Sequence, residues 1–308
     1  MWLPSYDELP VRPDAPPGSS WGVWGDGDVL GCLNLLTPER TRAGLASVVD
    51  GAAFPLSLEL ELPAPPLVGR ASFAHEVTWL GGKRQVGHDE LLHSWNTQSS
   101  SHWDGFRHIR HPEHGFYGGV ADEGHGVHHW ARRSIVARAA LCDVDGYRER
   151  EGRPLDHASA DPITAADVRA ALAEQDVGLE PGDVLLLHTG WLGWYRRLDE
   201  AGRAAVAAHR GLATPGLAAS EETLRFLWDS HVAAVAADNP AVEVWPPQGV
   251  FLHLTLLPLL GLPLGELWDL GPLVAAARSD GRWTCLLASA PLNLAGGVAS
   301  PANAIAIR

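Results

Sequence analysis

Four short stretches of nearly unbroken apolar sequence constrain this chain more than any other feature. Ser134 to Asp143, Val184 to Thr189, Val232 to Ala237 and Thr284 to Ala288 have the length of strands. A strand without alternating polarity is one buried on both faces, as in a sheet covered by helices. The segments between them supply those helices. Thr164 is placed to cap Ala165–Gln175, and Ser220 to cap Glu221–Asp229, where two glutamates in the first turn suit the helix dipole. Thr37-Pro38 opens another helix with proline in its first turn. Leu56 to Leu62 alternates strictly between apolar and polar, which predicts a strand with one wet face. Together these predict an α/β fold in which mixed, layered sheets carry a helical layer. Residues 1–50, rich in Gly, Pro and Trp, predict an N-terminal arm packed on a single body spanning 51–308.

Charge and cysteine usage narrow the setting. With 308 residues and 46% hydrophobic content the chain can bury a full core. Its net charge of −14 opposes phosphate backbones and anionic lipid surfaces, so neither nucleic acid nor membrane is an expected partner. The three cysteines Cys32, Cys142 and Cys285 lie far apart with no CxxC pair, which predicts reduced, buried thiols. The start, Met1-Trp2-Leu3-Pro4-Ser5, lacks the charged and apolar regions of a signal peptide. A cytoplasmic protein is the expectation. The apolar stretch Val250 to Ala277 is interrupted by His253, Glu266, Asp269 and three prolines, so it reads as core.

Nine of the 15 histidines fall between residues 88 and 129, and within that cluster His102-Trp103-Asp104-Gly105-Phe106-Arg107-His108 carries the pattern H-x-D-x-x-x-H. On a helix, at about 100° per residue, the three polar side chains would point apart. On an extended segment Gln98, His102, Asp104 and His108 share a face, and Gly105 permits the bend needed to bring His108 back. An imidazole and a carboxylate so placed can hold a divalent ion, with His108 in reach as a proton shuttle. About 150 positions later, His253 and Glu266 stand in otherwise apolar sequence and need a partner if buried. A shared metal would answer for both. His88, His93, His111, His114, His125, His128 and His129 read as solvated or locally bonded residues.

Other chemistries lack support. The one G-x-S-x-G match, Gly18 to Gly22, lies in the arm with neither a strand before it nor a helix after it. Phosphate-cradling G-x-G-x-x-G and P-loop patterns are missing from the sequence.

The segment Ser101 to His108 resembles the H-x-D-x-x-x-H core of the cyclase family of metal-dependent hydrolases, which includes bacterial kynurenine formamidases and isatin hydrolases. The resemblance extends to Trp24-Gly25-Asp26, Gly31 through Glu39, His129-Trp130-Ala131, Leu187 through Trp191, Asp238 through Pro246 and His253 through Glu266, as in the family's longer branch. It implies a swivelling β/β/α fold, a homodimer or homotetramer, and one or two Zn²⁺ or Mn²⁺ ions per chain. It also implies that His102, Asp104, His253 and Glu266 are metal ligands and that His108 is the catalytic acid/base. One position departs from the pattern: the formamidases place a histidine four residues before the first motif histidine, and here Gln98 stands there. An amide oxygen is the weaker ligand, which leaves two readings, a single ion or a harder ion such as Mn²⁺.

The implied reaction is opening of a cyclic or acyl amide or a lactone by metal-activated water. Two alternatives are a metal-assisted cyclase or dehydratase acting on a polyketide-like substrate, and a non-catalytic ligand-binding member. Thirteen tryptophans, with Trp95 and Trp103 flanking the site segments, predict an aromatic wall for a flat small-molecule substrate.

Overall fold

The computed structural model describes residues 3–208 and 210–308. Met1 and Trp2, which open the segment lacking a signal-peptide pattern, lie outside the described residues. In chain order the strands are β1 (Ala53–Pro55), β2 (Ala74–Leu80), β3 (Gly87–His93), β4 (His102–Asp104), β5 (Ile135–Asp143), β6 (Pro162–Ile163), β7 (Val184–His188), β8 (Gly216–Leu217), β9 (Ala234–Ala237), β10 (Leu264–Glu266), β11 (Thr284–Ser289), β12 (Ala299–Pro301) and β13 (Ala304–Ile307). The α-helices are α1 (Pro38–Ala46), α2 (His128–Arg133), α3 (Val144–Arg150), α4 (Ala165–Glu174), α5 (Trp191–Arg197), α6 (Glu200–Ala207), α7 (Glu221–Asp229), α8 (His253–Leu256) and α9 (Gly271–Asp280).

Nine strands form one mixed sheet in the order β1-β13-β11-β5-β7-β9-β10-β4-β12. Its centre, β5-β7-β9-β10, is parallel, and the flanking pairs are antiparallel. The central strands come from the unbroken apolar runs, and Val184 to Leu187 and Ala234 to Ala237 are all fully buried. Small side chains on β5 let the helical layer approach closely. A Cβ at Gly44 of α1 would lie 2.8 Å from the Ala137 backbone, so glycine is required at this crossing. The helix starts follow their caps: Thr164 accepts the Asp167 amide and Ser220 accepts the Thr223 amide.

One expected strand is different. Leu56 to Leu62 lies beyond β1 and joins no ladder. Its backbone groups are satisfied individually: the Leu58 amide donates to Ser101 Oγ (2.8 Å), Ser100 Oγ donates to the Glu59 carbonyl (2.9 Å), and the Leu56 carbonyl accepts the Asp269 amide (2.9 Å). Leu56 and Leu58 are buried while Glu59 and Glu61 are exposed. The alternation therefore records one-sided burial of an extended segment, which does not itself require a strand neighbour.

Ahead of α1 the N-terminal segment is built of turns and 3₁₀ segments and is fastened to the body. Trp228 of α7 donates to the Pro4 carbonyl (2.9 Å), and Trp21 donates to the Pro258 carbonyl (2.8 Å). The Ser20 and Cys32 amides donate to the carbonyls of Leu259 and Gly261 (3.0 and 2.7 Å). These bonds fix the loop joining α8 to β10. No helix among the described residues is long and apolar enough to cross a membrane, and all three cysteines are buried free thiols.

Candidate metal centre

Three strands of the main sheet bring the chemistry together. β10 lies between β9 and β4, and its antiparallel register with β4 sets Glu266 opposite His102 and Leu264 opposite Asp104. Residues two apart on a strand, and residues directly opposite across a ladder, project to the same face. His102, Asp104 and Glu266 therefore converge. His253, the first residue of α8, reaches the same point: its Nε2 lies 3.1 Å from Glu266 Oε1 and 3.6 Å from Asp104 Oδ2. His102 Nε2 lies 3.4 Å from both Asp104 Oδ1 and Glu266 Oε2. None of the four is more than 4% exposed. The chain turns at Gly105, where a Cβ would come within 2.6 Å of the Val298 carbonyl, and the turn returns His108 so that its Nε2 is 3.8 Å from Asp104 Oδ1.

The hydrogen-bond partners assign the imidazole tautomers. His102 Nδ1–H donates to the Ser100 carbonyl (2.7 Å) and His253 Nδ1–H donates to Glu243 (2.5 Å). Each imidazole thus turns its Nε2 toward the two carboxylates. His102 Nε2 and Asp104 Oδ2 are buried and have no hydrogen-bond partner. Uncompensated negative charge in a dry interior and orphaned buried polar atoms are both costly. A cation between them removes both penalties. Two imidazole nitrogens and two carboxylates suit a divalent metal ion, and His102, Asp104 and Glu266 alone already offer ligand atoms within 4.8 Å of one another.

The electrostatics are those of a site that demands positive charge. Burial alone would lower the His102 imidazole, but Asp104 and Glu266 outweigh it and hold it up at about 9. Burial likewise opposes ionisation of Asp104, yet the surrounding histidines keep its carboxyl well below the usual range. In His253, burial is overcome by Asp104, Glu243 and Glu266, which raise it. For His108 burial dominates and the imidazole is pushed down.

Glu243 is a functional residue that sequence reasoning left out of the site. It is buried, accepts the Leu252 and His253 amides (2.7 and 3.0 Å) and holds His253 Nδ1. A carboxylate behind a metal-facing histidine fixes its ring and raises its basicity. The signal was its place ten residues before His253 in a segment already singled out for resemblance. Glu243→Gln should weaken Zn²⁺ binding by roughly ten- to a hundredfold. Competition against a chromophoric chelator measures this, and unchanged affinity would remove Glu243 from the centre.

Two sequence expectations are corrected. Gln98 does not aim an amide oxygen at the cluster: its Nε2–H donates to Asp104 Oδ1 (2.8 Å) and lies 3.2 Å from His108 Nδ1. The carboxylate acceptor at this position selects the amide's donor end, so Gln98 orients Asp104 rather than joining the donor set. Trp103 is no substrate wall. It is fully buried, packs edge-on against Trp268 at 4.7 Å and donates to Ser289 Oγ, because a residue between two site-facing positions of a strand must face the other way. Trp95 is half-buried and does not line the cavity above the cluster.

That cavity, about 170 Å³, has His108, His253 and Glu266 at its base and Arg70, Trp245 and Phe251 among its walls. Phe251 stacks on His253 with centroids 4.8 Å apart. Val68, Leu212 and Trp245 also line a neighbouring cavity of about 620 Å³, so the two share a wall. At the ends of β5, β7 and β9 a separate polar group is structural. Asp143 accepts His188 and both bonds of Arg278, while Asp238 accepts the Thr189 amide and hydroxyl.

The fold has known counterparts. A crystal structure described as a novel cyclase superposes with a TM-score of 0.80 at 30% identity, covering 94% of this chain and 99% of that one. Isatin hydrolase A from Labrenzia aggregata, bound to benzyl benzoate, gives a TM-score of 0.58 at 16% identity over 87% of this chain and 98% of its own. An isatin hydrolase bound to the product analogue thioisatinate gives 0.59 at 15% identity, over 89% and 99% of the two chains. At these identities the isatin hydrolases show a shared fold. No curated protein matches the chain. The family model named Cyclase matches residues 54–244, which take in β4 with His102 and Asp104, and with this match over more than half its length the chain belongs to the Cyclase family.

Proposed function

We propose that this protein is a metal-dependent hydrolase that adds water to a cyclic or acyl amide or a lactone, with Zn²⁺ or Mn²⁺ held by His102, Asp104, His253 and Glu266. The observation that carries this reading is the convergence of two Nε2 atoms and two carboxylates, including two orphaned buried atoms, beneath an open cavity. A divalent ion bound there supplies Lewis acidity toward a carbonyl and lowers the pKa of water. The protein's own residues do the rest. His108, part-exposed in the cavity and kept neutral by burial, accepts a proton at one ring nitrogen and returns it to the leaving nitrogen or oxygen. Gln98 donates to Asp104 and touches His108, so it holds base and carboxylate in register. The apolar walls, Leu212, Trp245 and Phe251, exclude water and seat an apolar or aromatic substrate.

Arg70 points to an anionic feature in that substrate or its product. It is anchored through one N–H to the Gln98 carbonyl, lines the cavity and has no carboxylate partner among the described residues. Hydrolysis of an amide or lactone creates a carboxylate, which a guanidinium matches in shape and charge. Arg70→Met should raise KM for carboxylate-bearing amides by about tenfold, equivalent to the loss of one charged hydrogen bond, while neutral amides change little. Equal losses on both would assign Arg70 to packing instead.

The reaction class is tested by mass. Metal-loaded protein incubated in ¹⁸O-water should open cyclic imides and lactones to single products heavier by one labelled water, and should split aryl amides into an unlabelled amine and an acid that carries one ¹⁸O. Products isomeric with the substrate, or lighter by one water, would identify cyclisation or dehydration.

A further inference from the structure

Two cavities meet beside the cluster, and they differ in size and chemistry. The smaller, about 170 Å³, has His108, His253 and Glu266 at its base. That is below the roughly 300–1,000 Å³ of pockets that enclose a drug-sized molecule, so it takes the scissile group and little more. The neighbouring cavity, about 620 Å³, falls inside that range. It is lined by apolar side chains: Ala207 at the end of α6, Ala213 and Pro246 continue the wall that Leu212 and Trp245 share with the smaller cavity. Arg210 is its one charged lining residue among those described. An apolar space of that size beside a reacting centre gains most when a hydrocarbon group displaces its water.

The shared wall carries a second signal. Val68, which also lines both cavities, holds φ 51° and ψ 33°, the left-handed region that a β-branched residue rarely occupies. Strain of this kind persists only where the surrounding structure over-determines it, and it gathers at ligand sites. The surrounding bonds are present here: the segment packs on α6, and two residues on Arg70 donates to the Gln98 carbonyl. Val68 is nevertheless 56% exposed, an apolar side chain held where a ligand would cover it. From the shared wall an aromatic series runs to the cluster, with Trp245 edge-on to Phe251 at 5.8 Å and Phe251 stacked on His253 at 4.8 Å.

We propose that the acyl part of the substrate carries a long apolar tail, which passes the wall of Val68, Leu212 and Trp245 and fills the larger cavity while its carbonyl stays above the cluster. This rests on the hydrolase reading, which puts the new carboxylate at Arg70. Arg70 lines only the smaller cavity and stands two residues from Val68, so the half of the substrate nearest the shared wall is the acyl half. The substrate class is then an acyl amide, or a lactone with a long alkyl substituent, in preference to a compact single ring.

Straight-chain carboxylates are the products of such a substrate and undergo no further hydrolysis. Butyrate, hexanoate, octanoate and decanoate titrated calorimetrically into the zinc-loaded full chain should bind more tightly by about threefold per added methylene, which makes decanoate at least about a hundredfold tighter than butyrate. Ala207→Trp, which fills the larger cavity with an indole, should flatten the series. A crystal structure of the wild-type protein with decanoate needs no variant and should place the tail against Ala207, Ala213 and Pro246. A flat series in the wild type, a slope that survives Ala207→Trp, or a decanoate tail outside this cavity would overturn the proposal. Turnover of short amides beside a flat series would remove the tail site alone. A steep series in a protein that turns over no amide or lactone would keep the tail site and refute the hydrolase reading.

Discussion

His108→Ala loses turnover by about a hundred- to ten-thousandfold and keeps its metal. His108 sits at the cavity base with its side chain 24% exposed, 3.8 Å from Asp104, whereas the four residues of the cluster are buried beneath it. Its loss removes a proton carrier and leaves both Nε2 donors and both carboxylates in place. Gln98, which keeps its bond to Asp104 in the variant, holds the local geometry. Turnover and metal content on the same preparation check this. Full activity would place the proton transfer elsewhere, and loss of metal would make His108 a ligand.

Asp104→Ala abolishes the response of thermal stability to metal. Asp104, like Glu266, meets both His102 and His253, and unlike Glu266 it has an orphaned oxygen. A ligand that binds only the folded protein stabilises it by about 2.7 kcal/mol at a free concentration of one hundred times Kd. In a chain of this size that corresponds to a rise in Tm of several degrees. Wild-type protein stripped with chelator and titrated with Zn²⁺ or Mn²⁺ should show this rise, and Asp104→Ala should show none. The variant also leaves Glu266 beside two imidazoles, a less crowded negative site, so its metal-free Tm need not fall below that of stripped wild type. A variant that still responds to metal would mean that the remaining three side chains suffice.

What could be read from residues alone follows from where burial was expressed. β5, β7, β9 and β11 were legible because strands buried on both faces leave unbroken apolar runs, and α4 and α7 because Thr164 and Ser220 mark their starts. The arm of β2 and β3 was not, because a hairpin that covers neither face within its own chain has no reason to alternate. β4 and β10, three residues each, are too short to show a period, yet they set the register of the site. His102, Asp104, His253 and Glu266 stood out because ionisable residues in apolar surroundings need a partner, and the structure brings these four together. Trp103 could have been placed correctly from the same segment. If His102 and Asp104 face the site from a strand, the residue between them cannot. Gln98 was beyond sequence reasoning, since which end of an amide faces the cluster depends on the carboxylate it meets in three dimensions. Glu243 meets His253 only in the fold, so its place ten residues upstream hinted at the contact without fixing it.

Metal content per chain decides whether the buried His102–Asp104–His253–Glu266 cluster holds an ion. Protein purified without tags or chelators and analysed by inductively coupled plasma mass spectrometry should carry at least one equivalent of Zn or Mn. The same protein with Asp104→Ala, handled in parallel, should carry almost none. Wild-type protein that holds no metal, and takes up none from added Zn²⁺ or Mn²⁺ after dialysis, would show that the cluster is not a metal site.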